Sequence, residues 1–421
     1  MNESLLQYLW KNSLFSPLNL RTTAGDDMQV LDTGRLNHNA GPDFLNARIR
    51  IGPTIWAGNI ELHVKSSDWF KHNHVNDPVY QSIILHVVYE EDELISDAGF
   101  PTLVLKPHLD ELIVERYRTL MSEPQRIPCA GRLTEVPELI REAWMERMLA
   151  ERWEQRLEEW TLLWEQSGKD WRTLLYYRLA ANFGFHVNRD AFLELALSIP
   201  LNILVRHRNS LQKTEAMLFG QAGLLPHRHQ DEYSETLEKE YHFLRRKYQL
   251  TPLLPYRWKF LRLRPSNFPT IRIAQFAMLV HTSLELFARM MEIHNWDELY
   301  PLMDLAAGSY WDNHYRFAEP TAEVLPKRIG QEAIANIMIN TVAPMQYLYA
   351  RLQGKTELME VSLSLLQSLK PEKNKITRVW NDIGVYASDA ARSQSLLQLY
   401  NSYCMPRACL NCAIGNRLLR R

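Results

Sequence analysis

The first 125 residues carry short apolar runs, rich in β-branched side chains and separated by turn signals: Met28–Thr33, Asp43–Ile51, Ile55–Lys65, Ser82–Tyr89 and Thr102–Lys106. Several alternate apolar and polar residues with period two, the mark of a strand with one face in a core. A helical pattern over Glu3–Trp10 precedes them and another over Leu109–Thr119 follows. From Cys129 onward the period lengthens to that of helices. Leu139–Trp164 is a long amphipathic stretch with charged residues at helical spacing. Further helices are predicted over Trp171–Asn182, Arg189–Leu197, Ser210–Gly220, Asp231–Tyr248, Thr270–His294, Ile329–Arg351, Thr356–Leu366 and Ser388–Tyr403. Pro and Gly fall mostly between these segments, as helix breakers should. The pattern predicts an α+β protein: an α/β domain over residues 1–125, built on a mixed β-sheet, then an all-helical domain over 126–421 that ends in a cysteine cluster.

Composition adds exclusions. Hydrophobic residues are 46% and charged residues 23% of the 421, which excludes wholesale disorder, collagen-like repeats and a disulfide-dense scaffold. Net charge is −1, so no global field draws in nucleic acid or membrane. The charge is unevenly spread, however: residues 1–120 hold 10 Lys+Arg against 16 Asp+Glu, leaving 38 against 33 for the remainder. No stretch reaches the ~18–20 apolar residues of a membrane span. The segment Met1–Phe15, with Glu3 early, lacks the basic start, apolar run and small-residue site of a secretory signal. A cytoplasmic protein without a membrane partner is expected.

One constellation near the start carries chemistry. Asp43 opens a predicted strand, and Glu61, His63 and Lys65 alternate with Ile60, Leu62 and Val64 along the next. Alternation puts the three polar residues on one face. His72 and His74 follow in Ser67–His74, and His86 sits within Ile83–Val88. Carboxylates and imidazoles in this number are candidate ligands for a divalent cation. His86 reads instead as a dry histidine hydrogen-bonded within the sheet. A polar sheet face paired with charged loops is the plainer account of the whole set.

This arrangement, over roughly residues 1–120, resembles the PD-(D/E)xK nuclease superfamily. The resemblance implies a restriction-endonuclease-like unit in which a helix precedes a mixed sheet. Asp43 and Glu61 would hold Mg²⁺ or Mn²⁺, and a lysine would position the nucleophile. The chain departs from the pattern at that lysine: His63 stands in its place and Lys65 lies two residues further on. Either His63 replaces the lysine as catalytic residue, or Lys65 reaches over, or the site no longer cuts. His72 and His74 are candidate additional ligands.

The four cysteines form a second candidate site. Cys404, Cys409 and Cys412 give C-x₄-C-x₂-C, and Cys129 supplies a distant fourth. Four thiolates suffice for Zn²⁺ or a [4Fe–4S] cluster. Iron–sulfur nucleases of the helicase-nuclease type resemble this in having one distant and three clustered cysteines, although their lone cysteine precedes the nuclease motif. Buried free thiols are the alternative.

In the helical region, Arg257, Lys259, Arg262 and Arg264 interleave with Tyr256, Trp258 and Phe260, a composition suited to phosphates and unstacked bases. A solvated basic face accounts for the same residues. Gly41–Phe44, Gly58–His63, Ser67–Trp69, Ile84–Val88, Gly220–Gly223, Arg264–Pro269 and Tyr403–Gly415 together resemble a bacterial family catalogued as domain of unknown function 2851. That resemblance runs over nearly the whole chain, implies a bacterial origin and brings no activity. The leading functional expectation is a divalent-metal-dependent nuclease acting on phosphodiester bonds. The alternatives are a non-catalytic nucleic-acid- or protein-binding adaptor with a relic nuclease-like sheet, and a histidine-rich metal hydrolase of small substrates.

Overall fold

A computed structural model describes residues 1–72, 77–95, 99–226, 231–283 and 285–421. The chain divides into one unit of Met1–Trp144 with Tyr400–Arg421, and a second of Met145–Leu399. The division therefore falls after Trp144 rather than at 125, and the three terminal cysteines belong with the sheet rather than with the helices. Architecture is mixed, an N-terminal sheet unit followed by a large helical region. No helix among the described residues is long and apolar enough to cross a membrane.

In the first unit, helix α1 (Glu3–Lys11) is capped by the Asn2 side chain, which accepts the Leu5 N–H at 2.9 Å. Capping satisfies one of the N–H groups a helix start leaves without a partner. The strands follow as β1 (Met28–Asp32), β2 (Arg35–Leu36), β3 (Phe44–Ile51), β4 (Thr54–Lys65), β5 (Ile83–Glu90) and β6 (Thr102–Val104). A short α2 (Asp68–Lys71) lies between β4 and β5. Sheet order is β1-β3-β4-β5-β6, with β2 paired to β3. Pairs β1–β3 and β3–β4 are antiparallel, whereas β4–β5 and β5–β6 are parallel. Leu6 and Trp10 of α1 join Phe44, Ile49, Ile60, Leu62, Leu85, Val87 and Leu103 in one buried cluster. The first half of β4, paired with β3, is exposed, and Ile60–His63 in the second half, where the partner is parallel β5, are buried. Helix α3 (Glu111–Ser122) follows the sheet and packs with the chain's last helix, and α4 (Glu138–Gln166) begins in this unit.

The second unit is helical throughout: α5 (Trp171–Phe183), α6 (Arg189–Ser198), α7 (Leu201–His207), α8 (Leu211–Gln221), α9 (Glu232–Tyr248), α10 (Pro269–Thr282), α11 (Leu286–Met291), α12 (Trp296–Met303), α13 (Gln331–Ile337), α14 (Ala343–Gln353), α15 (Thr356–Ser368), α16 (Lys375–Asn381) and α17 (Ala390–Leu399). The last helix of the chain, α18 (Ala413–Leu419), belongs to the first unit. Two expected helices are broken. Thr270–His294 stops at Thr282, and Glu285 takes the left-handed conformation (φ 53°) before α11 begins. Ile329–Arg351 widens into a π-helical turn over Met338–Val342. Pro344 has no N–H to give and crowds the carbonyl four residues back, so a wider turn ahead of it relieves both faults.

Helix α8 packs so closely on α9 that a Cβ at Gly220 would collide with the ring of Tyr241. That ring is fixed, since its hydroxyl donates to Gln221 Oε1 at 3.0 Å and Gln221 Nε2 donates to Thr251 O at 2.6 Å. Gly220→Ala gains at most ~1 kcal/mol of helix propensity and loses about 1–3 kcal/mol to overpacking. The variant should unfold at lower urea concentration than the parent.

Candidate metal centre

Helix α1 places Glu3 and Gln7 four residues apart, on one face. Asp43 precedes β3, and Glu61 and His63 lie in the buried half of β4. The two carboxylates clasp each other's backbone: Glu61 Oε2 accepts the Asp43 N–H at 3.0 Å, and Asp43 Oδ2 accepts the Leu62 N–H at 3.0 Å. The β3–β4 pairing ends at Phe44↔Ile60, so beyond it the two side chains take up the Asp43 and Leu62 backbone donors in place of the ladder. Gln7 Nε2 donates to Asp43 Oδ1 at 2.8 Å, tying α1 to the clasp.

His63 is fully buried and stands at the centre of an imidazole chain. Its Nδ1 lies 2.8 Å from His86 Nε2, and its Nε2 lies 3.0 Å from His72 Nδ1. The chain runs from buried His86 to exposed His72, with the donor in each nitrogen pair set by the tautomer. His63 Nε2 is also 3.8 Å from Glu61 Oε1. Trp69 packs edge-on to Phe100, at 4.6 Å between ring centroids, and beside His86 at 5.5 Å, which screens this side of the imidazoles.

The electrostatics are those of acids crowded together. Burial first, then Glu3, pushes the Asp43 carboxyl up to about 6, against its hydrogen bonds to Leu62 and Gln7. Burial first, then Asp43, pushes Glu61 up to about 8. Glu3 is raised by burial, and burial with Glu61, Asp77 and Asp43 carries the Tyr80 hydroxyl up to about 12. Among the described residues, Glu3, His63 and His72 also form a group whose ligand atoms all lie within 4.8 Å of one another. Three carboxylates that destabilise one another's charge, beside two imidazoles, are a donor set a divalent cation would neutralise.

These shifts have a measurable consequence. In the unfolded chain both carboxyls titrate near pH 4, whereas the folded chain holds their protons to about 6 and about 8. The folded state binds more protons between those limits, so stability without a cation falls as pH rises from about 4 to about 8. Scanning calorimetry in chelating buffer should show the melting temperature falling across this window. In Asp43→Asn, which removes the charge facing Glu61, the fall should be shallower.

Not every expected residue converges. Lys65 Nζ lies 3.7 Å from Asp92 at the outer end of β4, not at the carboxylates. His74 lies outside the described residues. His86, expected as a dry sheet histidine, is buried and bonded to His63. Arg257, Lys259, Arg262 and Arg264 are exposed in the second unit, with Arg257 Nε paired to Glu194 at 2.9 Å. Trp258 is buried and donates to Ala222 O at 2.8 Å, and Phe260 packs on Phe268. Of the interleaved aromatics only Tyr256, at 75% exposure, is a platform open to solvent. Glu3, Gln7 and Tyr80 were not anticipated as site residues. The i, i+4 spacing of Glu3 and Gln7 on the helix before the sheet was the one available signal.

The family model described as Protein of unknown function (DUF2851) matches residues 3–375. No curated protein and no solved structure matches the chain.

Proposed function

The chain belongs to the DUF2851 family, whose description carries no activity, and we propose from its own residues that it is a divalent-metal-dependent phosphodiesterase acting on nucleic acid. The observation that carries this reading is the Asp43–Glu61 clasp, a half-buried and a buried carboxyl joined through backbone N–H groups, both at raised pKa. Glu3, Asp43 and Glu61 would hold the cation, and oxygen donors of this kind suit Mg²⁺ or Mn²⁺. When bound, such an ion polarises a phosphoryl oxygen and lowers the pKa of water.

The chain's own side chains do the rest. His63 Nε2, now 3.0 Å from His72 Nδ1, releases that partner when substrate binds, and its freed lone pair accepts the proton of the attacking water. The water oxygen bonds to phosphorus, the P–O bond to the leaving oxygen breaks, and that oxygen is protonated from solvent. His63 thus performs the task the resemblance gives to lysine, while Lys65 stays with Asp92. The order of elements supports a phosphodiester substrate over a small one: a helix, an Asp at the head of one strand, Glu61 on the next, and a parallel strand beyond it.

The test is incubation of the purified protein with single- and double-stranded DNA and RNA, in Mn²⁺, in Mg²⁺ and in chelator. Cleavage of at least one substrate with metal and none with chelator is expected. No cleavage of any substrate would sink this reading and leave the adaptor.

A further inference from the structure

The chain's four cysteines are all buried and outside any disulfide, and all lie in the first unit. Cys129 precedes a short turn over Ala130–Glu135. Cys404 ends a π-helical stretch over Tyr400–Cys404, Cys409 starts the turn Cys409–Asn411, and Cys412 leads into α18.

The scaffold that gathers them is specific. Arg407, itself left-handed at φ 55°, donates to Met121 O and Glu123 O, each at 2.7 Å, and so fastens the C-terminal turn to the end of α3, shortly before Cys129. Arg116 Nη1 donates to Leu419 O at 3.2 Å, and Arg421 Nη1 to Glu135 at 2.7 Å. Asn416 Nδ2 bonds Leu410 O and Cys412 O, each at 2.9 Å. A Cβ at Gly415 would strike the Cys409 carbonyl, so only glycine lets α18 close on that turn.

Each thiol is within electrostatic reach of others. Cys129 feels Cys412 and Cys409, and Cys404 feels all three partners. Burial raises the Cys412 thiol, against which the nearby N–H groups of Gly415 and Ile414 favour its thiolate. Burial and the neighbouring thiols raise Cys129 to about 12 and Cys409 to about 11, against which Arg132 beside Cys129 and Arg407 beside Cys409 favour thiolate. N–H donors and guanidiniums around sulfur are what bound thiolates need.

Four thiolates are the ligand set of a [4Fe–4S] cluster, whereas a single tetrahedral Zn²⁺, with Zn–S of about 2.3 Å, would draw the sulfurs to ~3.8 Å of one another. Iron, sulfide and zinc content distinguishes the two.

We propose that Cys129, Cys404, Cys409 and Cys412 ligate a [4Fe–4S] cluster that fastens the C-terminal turn and α18 to the segment following α3. Its role is structural, and no electron-transfer step is assigned to it. The test is purification of the whole chain without oxygen, followed by iron, acid-labile sulfide and zinc analysis and a visible spectrum. About four iron and four sulfide per chain, with thiolate-to-iron absorption, are expected. Iron without matching sulfide points to the Glu3–His63–His72 group and overturns the proposal. One zinc per chain, or neither metal nor sulfide, overturns it too. Cys409→Ser and Cys412→Ser should lose iron and sulfide together, while Glu61→Gln should keep both. If the serine variants do not fold, the parent's iron-to-sulfide ratio still decides.

Discussion

Glu61→Gln should lower metal-dependent phosphodiester hydrolysis by two to three orders of magnitude while the chain folds as before. Gln keeps an oxygen for the Asp43 N–H now accepted by Glu61 Oε2 at 3.0 Å, so the clasp persists. What disappears is one negative charge from the group that binds the cation. Loss of that ion's Lewis acidity forfeits several kcal/mol of transition-state stabilisation, and each ~1.4 kcal/mol is tenfold in rate. Folding is spared for a second reason. Glu61 is held up to about 8 by burial and Asp43, so its charge opposes folding at alkaline pH and a neutral amide removes that opposition. A structural carboxylate would behave in the opposite way, with stability falling by about 1–3 kcal/mol as charge-assisted hydrogen bonds were lost. Initial rates and urea midpoints, measured on the same preparations, separate the two.

His63→Gln should lower the rate by about 10²–10⁴-fold, the usual worth of a general base, while cation affinity changes little. The Gln amide can still hydrogen-bond toward His86 or His72, which now meet His63 at 2.8 and 3.0 Å, but it cannot take up a proton. The two variants are therefore expected to fail differently: Glu61→Gln loses the cation, His63→Gln keeps it. Equal loss of cation affinity in both would make His63 a ligand instead of a base. Calorimetric cation titration beside the rate measurement distinguishes these outcomes.

The strands that frame the site were readable because period two is a local property. Asp43–Ile51 and Ile55–Lys65 emerge as β3 and β4 within a residue of the bounds their patterns predict. Strand β2, two residues long, has no period to read. The Glu61–His63 pair was legible for the same reason, since alternation alone places both on one face. Lys65 was not excluded by that argument, because its pairing with Asp92 is a contact across 27 residues that no local pattern records. Glu3 and Gln7 were hidden differently. Their helix was evident, but which strand end it would meet depends on the packing of Leu6 and Trp10 against β4 and its neighbours. In the helical region, one break has a cause visible in the sequence, Pro344. The other, at Glu285, rests on a left-handed residue that is not glycine, and propensity gives no sign of it. Helix α12 contains Pro301, and an interior proline normally argues against a helix, so its pattern does not read as one. The gathering of Cys129 with Cys404, Cys409 and Cys412 followed from count and residue type. The Arg407 clasp on Met121 and Glu123 that brings it about did not.

The central claim is that Asp43 and Glu61 are a cation site rather than a structural carboxyl pair. Calorimetric titration of Mn²⁺ into the purified protein at pH 8, beside Glu61→Gln, tests it most directly. At that pH Asp43 is ionised and Glu61 half so, and a bound cation draws off the remaining proton. The account predicts saturable binding to the parent, weaker at pH 5 where protons compete, and at least tenfold weaker binding to Glu61→Gln. Equal affinity in the two proteins, or no binding to the parent at either pH, would contradict it.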